Sequence, residues 1–262
     1  MANFLYLLFC RLEKDRKNRG LTLNKKQEES TIKKLYFLHG FMGTSDTHFT
    51  EQIAYFKEKY ELILIDLPGH GNAPADASDN YFEETLNYVI AKIQNTGEGY
   101  VIGLSLGASL AIHIALRVPE LVRGIVLTGY TPFIPEELEV VMQKQYEYFS
   151  NIEEKDEAIA EYFMGLHGER WKRTLNHVNH TMTFLYPEAT KEHIQTIKVP
   201  VLLLNGSNEL YEVNSAAYIK KINKDILIGL VPNAGHTANI DQPDIYNKIV
   251  DSFLKDTDKV PV

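Results

Sequence analysis

Ser105 sits in Gly103-Leu104-Ser105-Leu106-Gly107, a G-x-S-x-G pattern that follows the apolar run Tyr100-Val101-Ile102 and precedes the apolar stretch Ala111, Ile112, Ala115, Leu116. A strand that turns sharply into a helix forces strained backbone angles at the serine, and the two flanking glycines let strand and helix approach. Such a turn presents the hydroxyl to solvent as a nucleophile. A serine hydroxyl attacks poorly unless a base lies within hydrogen-bond reach, and that base needs an acid to orient it. The chain order expected after such an elbow is serine, acid, histidine. His236 fits the base: it follows the last apolar run in Val231-Pro232-Asn233-Ala234-Gly235-His236, where Gly235 permits a sharp turn. The acid is expected in Asn205-Gly206-Ser207-Asn208-Glu209-Leu210-Tyr211-Glu212, with Glu209 the first choice and Glu212 its competitor. An oxyanion formed by attack on an acyl carbonyl needs two backbone N–H donors, one after the nucleophile and one in the loop after an earlier strand. Leu106 and Phe41, the latter in His39-Gly40-Phe41-Met42-Gly43, fit those places.

Placing these groups together requires an alternation of strands and helices. Short, continuously apolar runs occur at 35–38, 62–65, 100–102, 125–127, 201–204 and 226–228. Lack of in-out alternation suggests burial on both faces, and so parallel strands. Helical patterns lie between them at 49–59, 81–94, 108–118 and 213–222, and at 244–254 with Pro243 near the first turn. The expected fold class is therefore α/β, a doubly wound, mostly parallel sheet.

The rhythm breaks between Pro132 and Lys198, where three helical stripes follow one another without a strand: Leu138, Val141, Met142, Gln145, Phe149; Ile159, Tyr162, Phe163, Leu166; and Trp171, Leu175, Val178, Met182, Leu185. This predicts a helical cap at 132–198 inserted into a core formed by 1–131 and 199–262, its stripes serving packing and in part lining a substrate cavity.

Composition sets the outer bounds. Of 262 residues 44% are hydrophobic and 24% charged, as in an ordinary globular chain. A net charge of -8 argues against nucleic-acid binding. The single cysteine, Cys10, permits neither an internal disulfide nor a thiolate metal site, so a cytoplasmic location is expected. The run Phe4 to Cys10 has no basic leader and is too short to span a membrane, so it reads as a first strand. His167, His177 and His180 lack carboxylates at metal-site spacing, and no phosphate or dinucleotide fingerprint is present; no metal and no cofactor are expected.

Four landmarks, His39-Gly40-Phe41, Asp66-Leu67-Pro68-Gly69-His70-Gly71, the elbow at 103–107, and Gly235-His236 with Pro243 after it, make the chain resemble the α/β-hydrolase superfamily from Leu35 to Leu254. The resemblance implies an eight-stranded sheet, a serine-histidine-acid triad and a cap over the cleft. The family usually has Asp where this chain has Glu209, and residues 1 to about 34 lack the hairpin usual there. Cap-bearing relatives include carboxylesterases, carbon–carbon bond hydrolases and the menaquinone-pathway synthase. An arginine commonly follows the elbow in that synthase, where this chain has Ala108-Ser109, which ranks the synthase below a hydrolase. Serine at the nucleophile position excludes the aspartate-dependent dehalogenases and epoxide hydrolases. The expected activity is hydrolysis of a small carboxylic ester or related acyl compound with an apolar portion. A lyase or carbon–carbon hydrolase on the same triad, and an idle ligand receptor on the same fold, are the alternatives.

Overall fold

A computed structural model describes residues 32–258. Six strands make one sheet: β1 (Lys34–Leu38), β2 (Glu61–Ile65), β3 (Gly99–Leu104), β4 (Val122–Thr128), β5 (Val201–Gly206) and β6 (Leu227–Val231). Their order is β2-β1-β3-β4-β5-β6, and every neighbouring pair is parallel. The predicted α/β class is correct, and the six strands coincide with the six apolar runs. The count of eight, which came from the resemblance alone, is corrected to six among the described residues, because these hold six strand-forming runs and no more. The first-strand reading of Phe4 to Cys10 lies outside the described residues.

Burial follows position in the sheet. β3 and β5 are buried along their whole length, and alternate residues enter two cores, Tyr36, Leu38, Val101, Ile125 and Leu203 on one face and Leu35, Phe37, Ile102, Val126 and Leu204 on the other. The edge strands differ: Leu64 of β2 and Leu227 of β6 are 40% and 51% exposed, so continuous apolarity did not mean two-sided burial there. The ladder joining β4 to β5 is the shortest, with three residue pairs from Ile125↔Val201 to Leu127↔Leu203.

Between the strands run α1 (Ser45–Phe56), α2 (Tyr81–Thr96) and α3 (Leu106–Arg117). A capping box between Thr44 and Thr47 starts α1. Residues 132–198 hold helices and no strand: α4 (Glu136–Ser150), the single turn α5 (Ile152–Lys155), α6 (Glu157–His167), α7 (Trp171–Phe184) and the short α8 (Lys191–Thr196). The three expected stripes behave differently. Val178 of α7, with Ala189 and Ile194, joins the main core, and Phe163, Trp171 and Leu175 pack with Met42 in a smaller one. α4 buries no residue. The chain closes with α9 (Leu210–Ile222), the turn α10 (Ala238–Asp241) and α11 (Pro243–Thr257), where Pro243 occupies the first turn. No helix among the described residues is long and apolar enough to cross a membrane.

Candidate active site

Ser105 joins β3 to α3 at φ 55° and ψ -113°, a region that costs a non-glycine residue about 1–3 kcal/mol. The surroundings hold it there. Its N–H donates to the Thr128 carbonyl at the end of β4 (2.8 Å), and its carbonyl accepts from the N–H groups of Ala108 and Ser109. A Cβ on Gly103 would overlap the Gly107 carbonyl, and one on Gly107 would overlap the Leu38 carbonyl. Both glycines are therefore required by close approach. Leu106 opens α3, so its N–H has no partner within the helix and lies at the positive end of the helix dipole.

The loop after β1 lies against this turn. A Cβ built on Gly40 would stand 3.3 Å from Ser105 Cβ and 3.2 Å from the Leu104 carbonyl oxygen, which brings the neighbouring Phe41 to the mouth of the elbow. His48, on α1, supports the loop from behind: its Nδ1 accepts from the Gly40 N–H at 3.1 Å. A Cβ on Gly43 would overlap the His48 ring. Burial, and then the nearby His236, lower the His48 pKa to about 4, so the ring is neutral and can act as an acceptor. Sequence reasoning missed His48, because a lone histidine among Asp46, Thr47, Thr50 and Glu51 carries no spacing signal.

His39 and the Asp66–Gly71 loop complete the underside. The His39 ring donates to the Gly40 carbonyl (2.9 Å) and accepts from the Leu67 N–H (3.0 Å), and Asp66 accepts from the N–H groups of Ser45 and Asn72. His39, His70 and His167 follow one another edge to face, with ring centroids 4.8 and 5.1 Å apart. His167 accepts from the Gly71 N–H and donates to the Met42 carbonyl. Burial lowers all three, His39 to about 3 and His70 well below its usual value. His177 faces Asp79 at 3.5 Å and His180 packs on Phe184, so His167, His177 and His180 serve three separate places. Among the described residues no group of three or more His, Cys, Asp or Glu could hold a metal ion.

His236 occupies the loop after β6 as expected, and its Nδ1–H donates to Glu212 Oε1 at 2.6 Å. Glu212 is 0% exposed. The expectation that Glu209 faces the imidazole is corrected here, for a reason of helix register. Glu209 is the cap residue of α9, with extended backbone, while Glu212 lies in the first turn. A helical side chain leans toward its own N-terminus, and glutamate's extra methylene carries the Glu212 carboxylate back to the ring. Glu209 instead lines the cleft with Tyr211. The two loops are stitched together by Ser207 N–H to the Val231 carbonyl and Asn208 N–H to the Ala234 carbonyl, each 3.0 Å. Asn205 braces them against β4: its amide accepts from the Tyr130 N–H (3.1 Å) and donates to the Tyr130 carbonyl (3.0 Å) and the Glu212 carbonyl (3.4 Å). Gly129, at φ 58°, lies flat under the imidazole, where a Cβ would stand 3.0 Å from Cε1.

Ser105, His236, Phe41 and Glu209 border one cleft of about 520 Å³. Its far wall comes from α4 and α7, through Leu138, Val141, Met142, Gln145, Asn179 and Met182. Four of the five side chains in the first stripe thus line a cavity. An imidazole pinned at Nδ1 by a buried carboxylate leaves Nε2 available to take and return a proton, in the same cleft as a strained serine.

With this geometry in place, residues 35–249 match the model of the alpha/beta hydrolase family. The chain belongs to that family. Within the alpha/beta hydrolases it is 23% identical over 258 residues to 2-(acetamidomethylene)succinate hydrolase of Mesorhizobium japonicum, covering 89% of this chain and 92% of the relative. It is 26% identical to the uncharacterized carboxylesterase nap of Bacillus subtilis, covering 84% of this chain and 78% of that relative. Among solved structures, NosK from Streptomyces actuosus superposes with a TM-score of 0.81 at 31% identity, over 87% of this chain and 100% of that one.

Proposed function

We propose that this protein is a serine hydrolase of carboxylic esters or related acyl compounds with an apolar portion. The observation that carries the reading is that a strained Ser105 and His236, the latter held by the buried Glu212, border the same largely apolar cleft. Ser105 Oγ bonds to the acyl carbon while His236 Nε2 takes its proton, and Glu212 fixes the ring and stabilises the imidazolium. The N–H groups of Phe41 and Leu106 hold the oxyanion. Collapse breaks the bond to the alcohol oxygen, which leaves with the proton from His236. Water, deprotonated by His236, then cleaves the acyl-enzyme to release the acid and regenerate Ser105. Residues 132–198 act as a cap on a core formed by the rest of the chain, α4 being the part that meets the acyl chain. The cysteine content suits a reducing compartment such as the cytoplasm.

A fluorophosphonate probe tests the mechanism, because an activated serine attacks phosphorus. Labelling of the native chain and its loss in Ser105→Ala are expected. Undiminished labelling in that variant overturns the nucleophile, and an unlabelled native chain favours an idle ligand receptor. A panel of nitrophenyl esters of graded length then ranks the acyl group.

A further inference from the structure

Glu209 is left without a task by the mechanism above. Its carboxylate borders the reactive cleft yet has no hydrogen-bond or ion-pair partner among the described residues. It lies on the His236 side: a Cβ on Gly235, the residue before the imidazole, would stand 3.5 Å from Glu209 Oε1. That is the side from which the leaving group receives its proton. Tyr211, next along the chain, lines the same wall. Burial, and then the Glu212 and Glu209 carboxylates, push its phenol up, so it is a neutral ring that can offer its face to a cation. No Lys or Arg is among the residues lining the cleft, so nothing there neutralises Glu209. The net charge of -8 favours approach of cations over anions.

The geometry points to Glu209 and Tyr211 as a subsite for a cationic group carried on the leaving-group side of the ester. This rests on the serine-hydrolase reading of the same cleft. The relative from Mesorhizobium japonicum is named for a succinate, whereas this cleft disfavours a carboxylate-bearing substrate.

The test compares hexanoylcholine with its uncharged isostere, 3,3-dimethylbutyl hexanoate, by titrating the acid released. The charged ester is expected to have a kcat/KM about tenfold higher, mainly through KM, as befits one ion pair in a cleft open to water. Adding about 0.5 M salt should reduce the preference by screening. In Glu209→Gln the ratio should fall toward one, and Glu209→Asp should restore part of it, which a merely structural role would not do. The proposal is overturned if the native protein shows no preference, if Glu209→Gln leaves the ratio intact, or if that variant slows both esters equally. Hydrolysis of the neutral ester that disappears in Ser105→Ala keeps the serine-hydrolase reading whatever the ratio. Hydrolysis of neither ester removes both.

Discussion

The elbow at Ser105 and the helix α4 face each other across one cleft, but they are held by opposite means. Behind the elbow the neighbours are backbone and packed core: β3 is buried throughout, Gly103 and Gly107 have no room for a methyl group, and Ser105 is tied to Thr128. α4 buries nothing, and Val141 is 55% exposed although it lines the cleft. Reacting groups need positions fixed to a fraction of an ångström, and close packing supplies that. A wall that only meets an apolar chain tolerates slack. On the proposed function, chemistry belongs to the rigid side and selectivity to the loose one.

The sharpest break in that comparison lies at the buried acid. Glu212→Gln is expected to lower kcat on a good ester by about 10³ or more, because the ring loses the carboxylate that fixes its tautomer. Glu209→Gln should cost less than tenfold on an uncharged ester, and steady-state kinetics with a matched melting temperature checks both. The reverse ranking would reinstate Glu209 as the acid. Next in size, Gly107→Ala should destabilise the fold by about 3 kcal/mol or more, since the new methyl meets the Leu38 carbonyl. Urea denaturation measures it, and a cost below about 1 kcal/mol would mean that the rigid side has slack after all.

Acid sharpens the same contrast. Above about pH 6.5 neither the folded nor the unfolded chain protonates His39, His48 or His70. Below it the unfolded chain takes up protons that the buried rings refuse, until the folded values of about 4 for His48 and about 3 for His39 are reached. Stability should therefore fall by about 4 kcal/mol between pH 7 and 5.5, shared about equally among the three rings. A urea midpoint that stays flat over that range contradicts it. His48→Phe should lower kcat by roughly tenfold with KM little changed, by releasing the Gly40 N–H and loosening the oxyanion loop. Equal losses in the binding and the catalytic constants would assign His48 to packing alone. Smallest of all, Val141→Ala with Met142→Ala should raise KM for hexanoate over acetate esters several-fold and shift stability by less than about 0.5 kcal/mol. Deleting 132–198 is a poorer experiment, because Val178, Ala189 and Ile194 belong to the main core.

The six strands were readable because central parallel strands leave continuous apolar runs, and the elbow because its glycines answer a steric demand that only glycine meets. Edge exposure at Leu64 and Leu227 was not readable, since strand order does not follow from a single run. The place of His236 after β6 was legible from its loop. The carboxylate that meets His236 lies three residues beyond the first choice, at Glu212 and not Glu209, because the choice depends on where α9 begins, and a helix boundary is the least certain feature of a sequence. His48 stayed hidden because its partner is a backbone N–H eight residues earlier. The first cap stripe has the spacing of packing residues, yet four of its members line the cleft; periodicity identifies the face and not what covers it.

The three-pair ladder between β4 and β5 divides the site in kind as well as in space. Ser105 and its tether belong to the β3–β4 half, while His236 and Glu212 travel as one stitched unit on the β5–β6 half, with Asn205 as the clasp between them. On the proposed mechanism the nucleophile and its base thus stand on opposite banks of one seam, so a change that parts β4 from β5 would separate them while leaving the hydrogen bonds within each half in place.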